Sequence, residues 1–196
     1  MERVFQNIEG TAFLDKGNFI NKELLEKCII DIELQLEERP EIIIFGKKCK
    51  QQRNVGFFSN ESIGYKYSKK MMDSKPLTKS MSELLLIINM VIGAEFNGIL
   101  VNKYMDGNDY ISAHSDDETG LDSVGVVSIS YGSERIFRIR NKVTKEIMCD
   151  ELTTHCSILH TRGNFQKLYT HEIPIQKKLK NQEFHLHFVN TICKKK

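Results

Sequence analysis

The chain has 196 residues, of which 40% are hydrophobic and 28% charged, with a formal net charge of +2 at pH 7. This balance favours one soluble globular domain over a fibrous or disordered chain. No apolar run approaches the roughly 20 residues of a membrane span, the first residues do not form a secretory signal, and the five cysteines are scattered. We therefore expect an intracellular protein with free thiols, in cytoplasm or nucleus, without a membrane partner.

The first part of the chain is predicted to mix helices with strands. After short β-like pieces, Asn21 is the predicted N-cap of an amphipathic helix over Lys22–Glu38, which Pro40 ends. Residues 41–46 have the pattern of a buried strand. A second amphipathic helix is predicted from about Ser80 to Ile92.

The segment from Lys47 to Lys79 is strongly basic, with nine Lys or Arg residues against two acidic residues. Two aromatic clusters, Phe57-Phe58 and Tyr65-Lys66-Tyr67, lie among these cations. Cations interleaved with aromatic rings suit a surface that binds the phosphates of nucleic acid and stacks on its bases. The alternatives are a solvated basic face without a partner and rings that point into the core, as for Phe57.

Beyond about residue 96 the pattern is almost entirely β. Short strands alternate with turns about every eight to twelve residues, which predicts a sandwich or a jelly roll. The strand candidates are residues 124–130, 135–140, 148–149, 156–159 and 184–188. The order of elements therefore predicts an α+β fold in a single domain.

His114 and Asp116 stand two residues apart, and on an extended backbone their side chains point to the same face. Both could bind one metal ion. A further histidine from a distant strand would complete the facial triad of a non-haem iron(II) oxygenase. Spacing favours His171 for this role, while His185 and His187, which share a face of the last strand, remain competitors.

In their order along the chain, these motifs resemble the AlkB-type iron(II)- and 2-oxoglutarate-dependent dioxygenases that repair alkylated nucleic acid. The resemblance extends over roughly residues 41–189. The motifs that carry it are residues 52–68, 96–107, 114–118, 128–138 and 155–174. The resemblance implies a double-stranded β-helix (jelly-roll) core over about 96–190, with amino-terminal helices packed on one sheet. It also implies a β-rich substrate lid over about 47–79, within one domain spanning residues 1–196.

The resemblance also implies a role for each matching residue. The iron ligands and catalytic residues would be His114, Asp116 and His171. The residues on the entry strand that bind 2-oxoglutarate would be Asn102 and Tyr104. The substrate-binding residues would be Arg53, Phe58, Tyr65 and Glu118. The implied cofactors are Fe(II), 2-oxoglutarate and dioxygen, and the implied activity is oxidative demethylation of N-alkylated bases in DNA or RNA by a monomer.

The last strand departs from the family pattern. The family carries two arginines there, which hold the carboxylates of 2-oxoglutarate, whereas this chain has Glu183 and Val189 in their register. His185 or His187, in protonated form, is the expected replacement, with a basic residue from another strand, such as Arg138, as the alternative. Two further hypotheses stay open: a catalytically impaired protein that keeps the metal and binds nucleic acid, and a dioxygenase for another class of substrate.

Overall fold

The computed structural model describes residues 1–6, 10–15, 20–44, 46–67, 70–116 and 124–191. The helices in these ranges are α1 (Lys22–Glu33), α2 (Lys79–Ile92) and the short α3 (Phe165–Leu168). The strands of the first half are β1 (Glu2–Gln6), β2 (Gly10–Asp15), β3 (Glu41–Ile44), β4 (Lys47–Lys50), β5 (Asn54–Phe58), β6 (Gly64–Tyr67) and β7 (Lys70–Asp73). The strands of the second half are β8 (Gly98–Tyr104), β9 (Ile111–His114), β10 (Val126–Gly132), β11 (Arg135–Asn141), β12 (Ile147–Thr153), β13 (Ile158–Gly163), β14 (Tyr169–Ile173) and β15 (Glu183–Val189).

The strands β8 to β15 form a double-stranded β-helix. The larger sheet has seven strands in the order β1-β2-β13-β10-β15-β8-β5, and the smaller has the order β12-β11-β14-β9. From β8 onward the chain crosses between the sheets at every connection except the β11–β12 hairpin. Side chains from both sheets, such as Tyr104 and Phe137, share one core cluster. The predicted jelly roll is confirmed.

The helices α1 and α2 pack on the outer face of the seven-stranded sheet. Leu25 and Ile32 of α1 and Leu84 of α2 share a core cluster with Val101 of β8 and Leu186 of β15. This burial is the consequence of apolar side chains at three-to-four spacing on each helix. Among the described residues, no helix is long and apolar enough to span a membrane.

The first helix is shorter than predicted. It ends at Glu33 rather than Glu38, with Leu34 as its C-cap. The chain then turns so that Glu37 and Val55 exchange two backbone hydrogen bonds of 2.8 and 3.0 Å. Pairing with the open edge of β5 therefore replaces the last helical turns.

The alternation of side chains along β15 sets the position of the polar residues. Phe184 and Leu186 point toward the helices and belong to their core cluster. Glu183, His185 and His187 point the other way, toward the smaller sheet, because successive side chains on a strand face opposite sides. Their register partners on β8 are Tyr104, Asn102 and Leu100, in that order.

Two β-hairpins lie in, or directly before, the region predicted to form the lid. One pairs β3 with β4, and the other pairs β6 with β7. The chain enters β5 between them, so the hairpins flank the edge of the larger sheet. The lid region is β-rich, as predicted.

Candidate metal centre and cosubstrate cleft

His114, Asp116 and His171 come together at one end of the smaller sheet. His114 ends β9 and stands directly opposite His171 of β14 in the strand register. The Nε2 atoms of His114 and His171 lie 3.6 and 3.5 Å from the two carboxylate oxygens of Asp116. One ligand atom from each residue lies within 4.8 Å of the others, so all three can contact one ion. His185 and His187 lie on the opposite sheet.

Neighbouring groups hold both imidazoles in the form that binds a metal. Nδ1 of His114 lies 2.9 Å from the carbonyl oxygen of Ser112, which can only accept, so Nδ1 carries the proton and Nε2 is left for an ion. The ring of His171 stacks on Phe137 at 5.0 Å. Burial lowers the pKa of His114 and lowers that of His171 to about 3. Neutral imidazoles are the metal-binding species.

The backbone that carries Asp116 is held by two hydrogen bonds. The N–H of Asp116 donates to Oε1 of Gln166 at 3.0 Å, and the hydroxyl of Ser115 donates to the carbonyl of Tyr169 at 2.8 Å. Both partners come from the α3–β14 segment, which leads into His171. The same segment therefore positions two of the three possible ligands.

The triad borders a cleft between the two sheets. The other predicted site residues that line this cleft are Arg53, Tyr65, Asn102, Tyr104, His185 and His187. Arg53 is the one Lys or Arg side chain among the described residues of the lining. It is 5% exposed, and its Nε–H donates to Oδ1 of Asn102 at 2.6 Å. The positive charge of the cleft therefore comes from the segment before β5.

Glu183 is fully buried, and its carboxylate faces His185 of the cleft lining and Arg135 behind it. Nε2 of His185 lies 2.7 Å from one carboxylate oxygen, and Nε of Arg135 lies 3.9 Å from the other. The guanidinium of Arg135 also donates to backbone carbonyls, including that of Asp109 at 2.7 Å, and lies over the ring of Tyr104. Glu183 is not among the described residues that line the cleft.

Sequence reasoning gave Arg135 no role. The signal for one was the alternation of β11, in which Arg135, Phe137 and Ile139 are buried and the residues between them are half-buried. An arginine at an inward position of such a strand needs a buried acidic partner. Glu183, which takes the place of a family arginine, is that partner.

His187 lines the cleft as a neutral ring. Its Nδ1 lies 2.6 Å from the hydroxyl of Ser128, and its Nε2 is buried without a hydrogen-bond partner among the described residues. Burial, and then the nearby His185, lower the pKa of His187 to about 3. Burial therefore favours the neutral ring, because charging it would place a cation in a dry site. That His187 carries a proton when it holds a carboxylate stays a prediction.

Arg138 does not reach the cleft either. Its guanidinium makes two hydrogen bonds of 2.7 Å to the carboxylate of Asp150 and lies 3.6 Å from Glu172. Arg138 alternates with the inward Phe137 and so points to the outer face of the smaller sheet. The prediction that Arg138 reaches the cosubstrate is therefore wrong.

Two predicted substrate-binding residues, Phe58 and Glu118, are not among the described residues that line the cleft. Phe58 is fully buried in the cluster beneath the helices and is not part of the described lining of the cleft. The alternation of β5 explains this, since Phe57 points to the side of Tyr65 and Phe58 to the opposite side. Glu118 lies outside the described residues.

Comparisons with known proteins agree with this geometry. A family model described as the 2OG-Fe(II) oxygenase superfamily matches residues 17–192. The DNA oxidative demethylase ALKBH2 of Bos taurus is 26% identical over 167 residues, which are 80% of this chain and 59% of that protein. The protein of the same name from Homo sapiens is 25% identical over 182 residues, with coverages of 89% and 70%. The match spans 56% of the Arabidopsis thaliana protein of that name.

Solved structures show the same fold. The structure of OsALKBH1 superposes with a TM-score of 0.61 at 13% identity, covering 96% of this chain and 100% of that chain. An oxidoreductase of the 2OG-Fe(II) oxygenase family from Burkholderia pseudomallei gives a TM-score of 0.55 at 11% identity, with coverages of 94% and 88%.

Proposed function

Because the chain belongs to the 2OG-Fe(II) oxygenase superfamily, we propose that it catalyses the oxidative demethylation of N-alkylated bases in DNA or RNA. It is an AlkB-type dioxygenase, and its cofactors are Fe(II), 2-oxoglutarate and dioxygen. The observation that carries the proposal is the convergence of His114, Asp116 and His171 beside a cleft of the jelly roll. The relatives named DNA oxidative demethylases support the substrate class.

The triad residues fit an iron ion. Two neutral imidazoles and one carboxylate, on one side of a cleft, form a facial set that leaves further coordination positions open. His114, Asp116 and His171 would hold Fe(II) there. When bound, the iron with its cosubstrates supplies the oxidation of an N-alkyl carbon, after which the alkyl group leaves as an aldehyde. The residues of the chain bind, orient and exclude water.

The wall of the cleft opposite the triad can bind a carboxylate ligand through residues other than the family arginines. Arg53 supplies a guanidinium, Asn102 and Tyr104 supply an amide and a phenol, and His187 presents a buried Nε2. Together with His185, these residues would bind 2-oxoglutarate. We place Arg53 with the cosubstrate as well as with the lid, because it is hydrogen-bonded to Asn102. Charge-assisted hydrogen bonds from arginine would then replace those of the missing family arginines.

The substrate would enter from the side of the hairpins. Tyr65 on β6 is 4% exposed and lines the cleft, so its ring can lie against a base. The strand β4 is exposed along its whole length, with lysines at 47, 48 and 50, and can contact phosphates. The target base must leave its stack to reach the iron, which costs a few kcal/mol and least in single strands.

The test is turnover of a defined oligonucleotide. The protein is incubated with Fe(II), 2-oxoglutarate and single-stranded DNA or RNA carrying one N-methylated adenine or cytosine. We expect succinate and the loss of the methyl group, measured by mass spectrometry, and neither product with His171→Ala. The exposed His155 provides the matched control, since His155→Ala should keep full activity. An iron-loaded protein that demethylates none of these substrates would contradict the proposal.

One observation favours a second candidate, a metal-bound protein that binds nucleic acid without turnover. Glu183 and Val189 stand where the family carries its cosubstrate arginines, and Glu183 is engaged with His185. This candidate predicts oligonucleotide binding without measurable 2-oxoglutarate binding. A dioxygenase for a different substrate class predicts instead that 2-oxoglutarate binds and that all methylated oligonucleotides remain unchanged.

A further inference from the structure

A second cavity, of about 220 Å³, lies between the two hairpins. Its residues come from the chain before β3, from β3 itself, from the residue after β4, and from β7. Those used below are Glu37, Ile42, Gln51, Met71, Met72 and Asp73. We call this cavity the hairpin pocket. Its volume is below that of pockets for drug-sized ligands, so it suits a single ring system.

Gln51 gives the hairpin pocket an unused hydrogen-bonding group. The residue is 4% exposed, and its backbone N–H donates to the carbonyl of Pro40 at 3.0 Å. Its side-chain Oε1 is buried and has no hydrogen-bond partner among the described residues. Buried polar atoms are nearly always paired, so an unpaired amide oxygen beside a cavity points to a ligand that supplies the missing donor.

The other residues that line the hairpin pocket indicate which kind of ligand could donate to Gln51. Ile42, Met71 and Met72 form apolar walls, and methionine sulfurs make favourable contacts with aromatic rings. Glu37 and Asp73 add two exposed carboxylates, which accept hydrogen bonds from amino groups. A glutamine amide can also pair in bidentate fashion with the edge of an adenine. A flat aromatic ring with an amino edge matches all of these groups.

Residues of the pocket and of the cleft are neighbours on the β6–β7 hairpin and in the segment before β5. Met72 of the pocket stands opposite Tyr65 of the cleft in the β6–β7 register. Gln51 of the pocket lies two residues before Arg53 of the cleft. The exposed lysines of β4 lie on the same hairpin as Ile42 and can bind the phosphates of a nucleic-acid strand. A single strand can therefore pass from one cavity to the other.

We propose that the hairpin pocket binds a second base of the substrate strand, near the alkylated one, through its amino edge. The inference rests on the proposed function, because it takes nucleic acid as the substrate. It adds a sequence preference for a base with an exocyclic amino group beside the target. The bound ring contacts the methionine residues that line the pocket and donates to Gln51.

The test uses methionine methyl NMR on the metal-free full chain. Met71 and Met72 are assigned among the seven methionines with Met71→Leu and Met72→Leu. AMP and CMP should shift these two methyl signals, and UMP should shift them less. Gln51→Leu should weaken AMP binding at least tenfold and leave the melting temperature unchanged or raised, because it removes a buried unpaired acceptor. The matched control is Gln52→Leu, since Gln52 is a half-buried neighbour outside the described lining and should keep the affinity.

Three results would overturn the inference. The methyl signals of Met71 and Met72 could stay unchanged with every nucleoside monophosphate. Gln51→Leu could bind AMP as tightly as the parent. N-acetylarginine amide could bind more tightly than AMP, which would assign the pocket to a protein side chain. The NMR assay contains no iron or 2-oxoglutarate. Unchanged methyl signals would therefore contradict the hairpin-pocket proposal without contradicting demethylation. A lack of demethylation would likewise not contradict nucleotide binding in the pocket.

Discussion

Arg53 donates its Nε–H to Oδ1 of Asn102 at 2.6 Å, and both side chains are buried. The bond joins the segment before β5 to the strand that carries the predicted cosubstrate ligands. It places a guanidinium in a cleft whose described lining holds no other Lys or Arg. The cleft therefore contains a cation that comes from the side of the lid and not from β15.

Arg53→Met should weaken the binding of 2-oxoglutarate roughly 10- to 100-fold, because a charged hydrogen bond contributes about 1.5–3 kcal/mol. The measurement is calorimetric titration of Mn(II)-loaded protein without dioxygen. Arg162, which is exposed at the end of β13, provides the control: Arg162→Met removes the same charge and should leave the affinity unchanged. Equal affinity in parent and Arg53→Met would assign the carboxylate clamp to other residues.

The triad should hold one divalent ion per chain. His171→Ala should lower Mn(II) affinity by at least about 100-fold, since even partners behind the ligands contribute 10- to 100-fold. The free ion is measured by electron paramagnetic resonance during a titration, with His155→Ala as the control. Should His171→Ala bind Mn(II) like the parent, the third ligand must be sought at His185 or His187.

The parts of this fold that local patterns determine could be predicted from the sequence. Apolar residues at helical spacing predict α1 and α2. His114 and Asp116, two residues apart next to a strand, predict one wall of the site. The end of α1 could not be predicted, because Glu37 leaves the helix to pair with Val55, a contact between distant segments. Local propensity carries no signal for such pairing.

The polar interior was harder to predict because it depends on pairs across the sheets. Glu183 stands in the register of a family arginine, and the sequence does not show that Arg135 lies behind it. Arg138 and Arg135 are close in sequence, yet only the register of β11 shows which one points inward. Phe58 likewise lies on the wrong side of its strand for the cleft. One residue of register separates a core side chain from a site side chain.

The pairing of Glu183 with Arg135 should make the family residue harmful at this position. Glu183→Arg should lower the free energy of unfolding by about 3–5 kcal/mol, because it leaves two buried guanidinium groups without a carboxylate. Urea denaturation measures the change, and Glu134→Arg, at an exposed neighbouring position, should cost little. Adding Arg135→Glu should recover part of the loss. A stable Glu183→Arg single variant would show that Arg135 does not depend on Glu183.

The neutral state of His187 should make the protein less stable in mild acid. Its pKa is about 3 in the folded chain against 6.5 for the free side chain, so the stabilisation is complete above pH 6.5 and is lost as the pH falls toward 3. At pH 5 the unfolded state binds a proton that the folded state does not, which costs about 2 kcal/mol. In metal-free protein, the free energy of unfolding should fall between pH 7.5 and 5.0 by about 2 kcal/mol less in His187→Asn than in the parent. Urea denaturation at the two pH values measures this difference. Equal losses of stability in the parent and in His187→Asn would contradict a buried neutral ring.

The exposed lysines of β4 should dominate the salt dependence of strand binding. Replacing Lys47, Lys48 and Lys50 by alanine removes three cations from a fully exposed strand. The slope of log affinity against log salt for single-stranded DNA should fall by up to about 2, because each phosphate contact contributes about 0.7. Fluorescence anisotropy of a labelled oligonucleotide at several salt concentrations gives the slope.

The control for this prediction removes the same charge elsewhere. Lys145, Lys167 and Lys177 are exposed outside the β3–β4 and β6–β7 hairpins, and their triple alanine variant should keep the parent's slope. If both triple variants lost slope equally, only net charge would matter, and the strand would have no defined path along β4. If only the β4 variant loses slope, the phosphates follow the β3–β4 hairpin, which contributes Ile42 to the hairpin pocket.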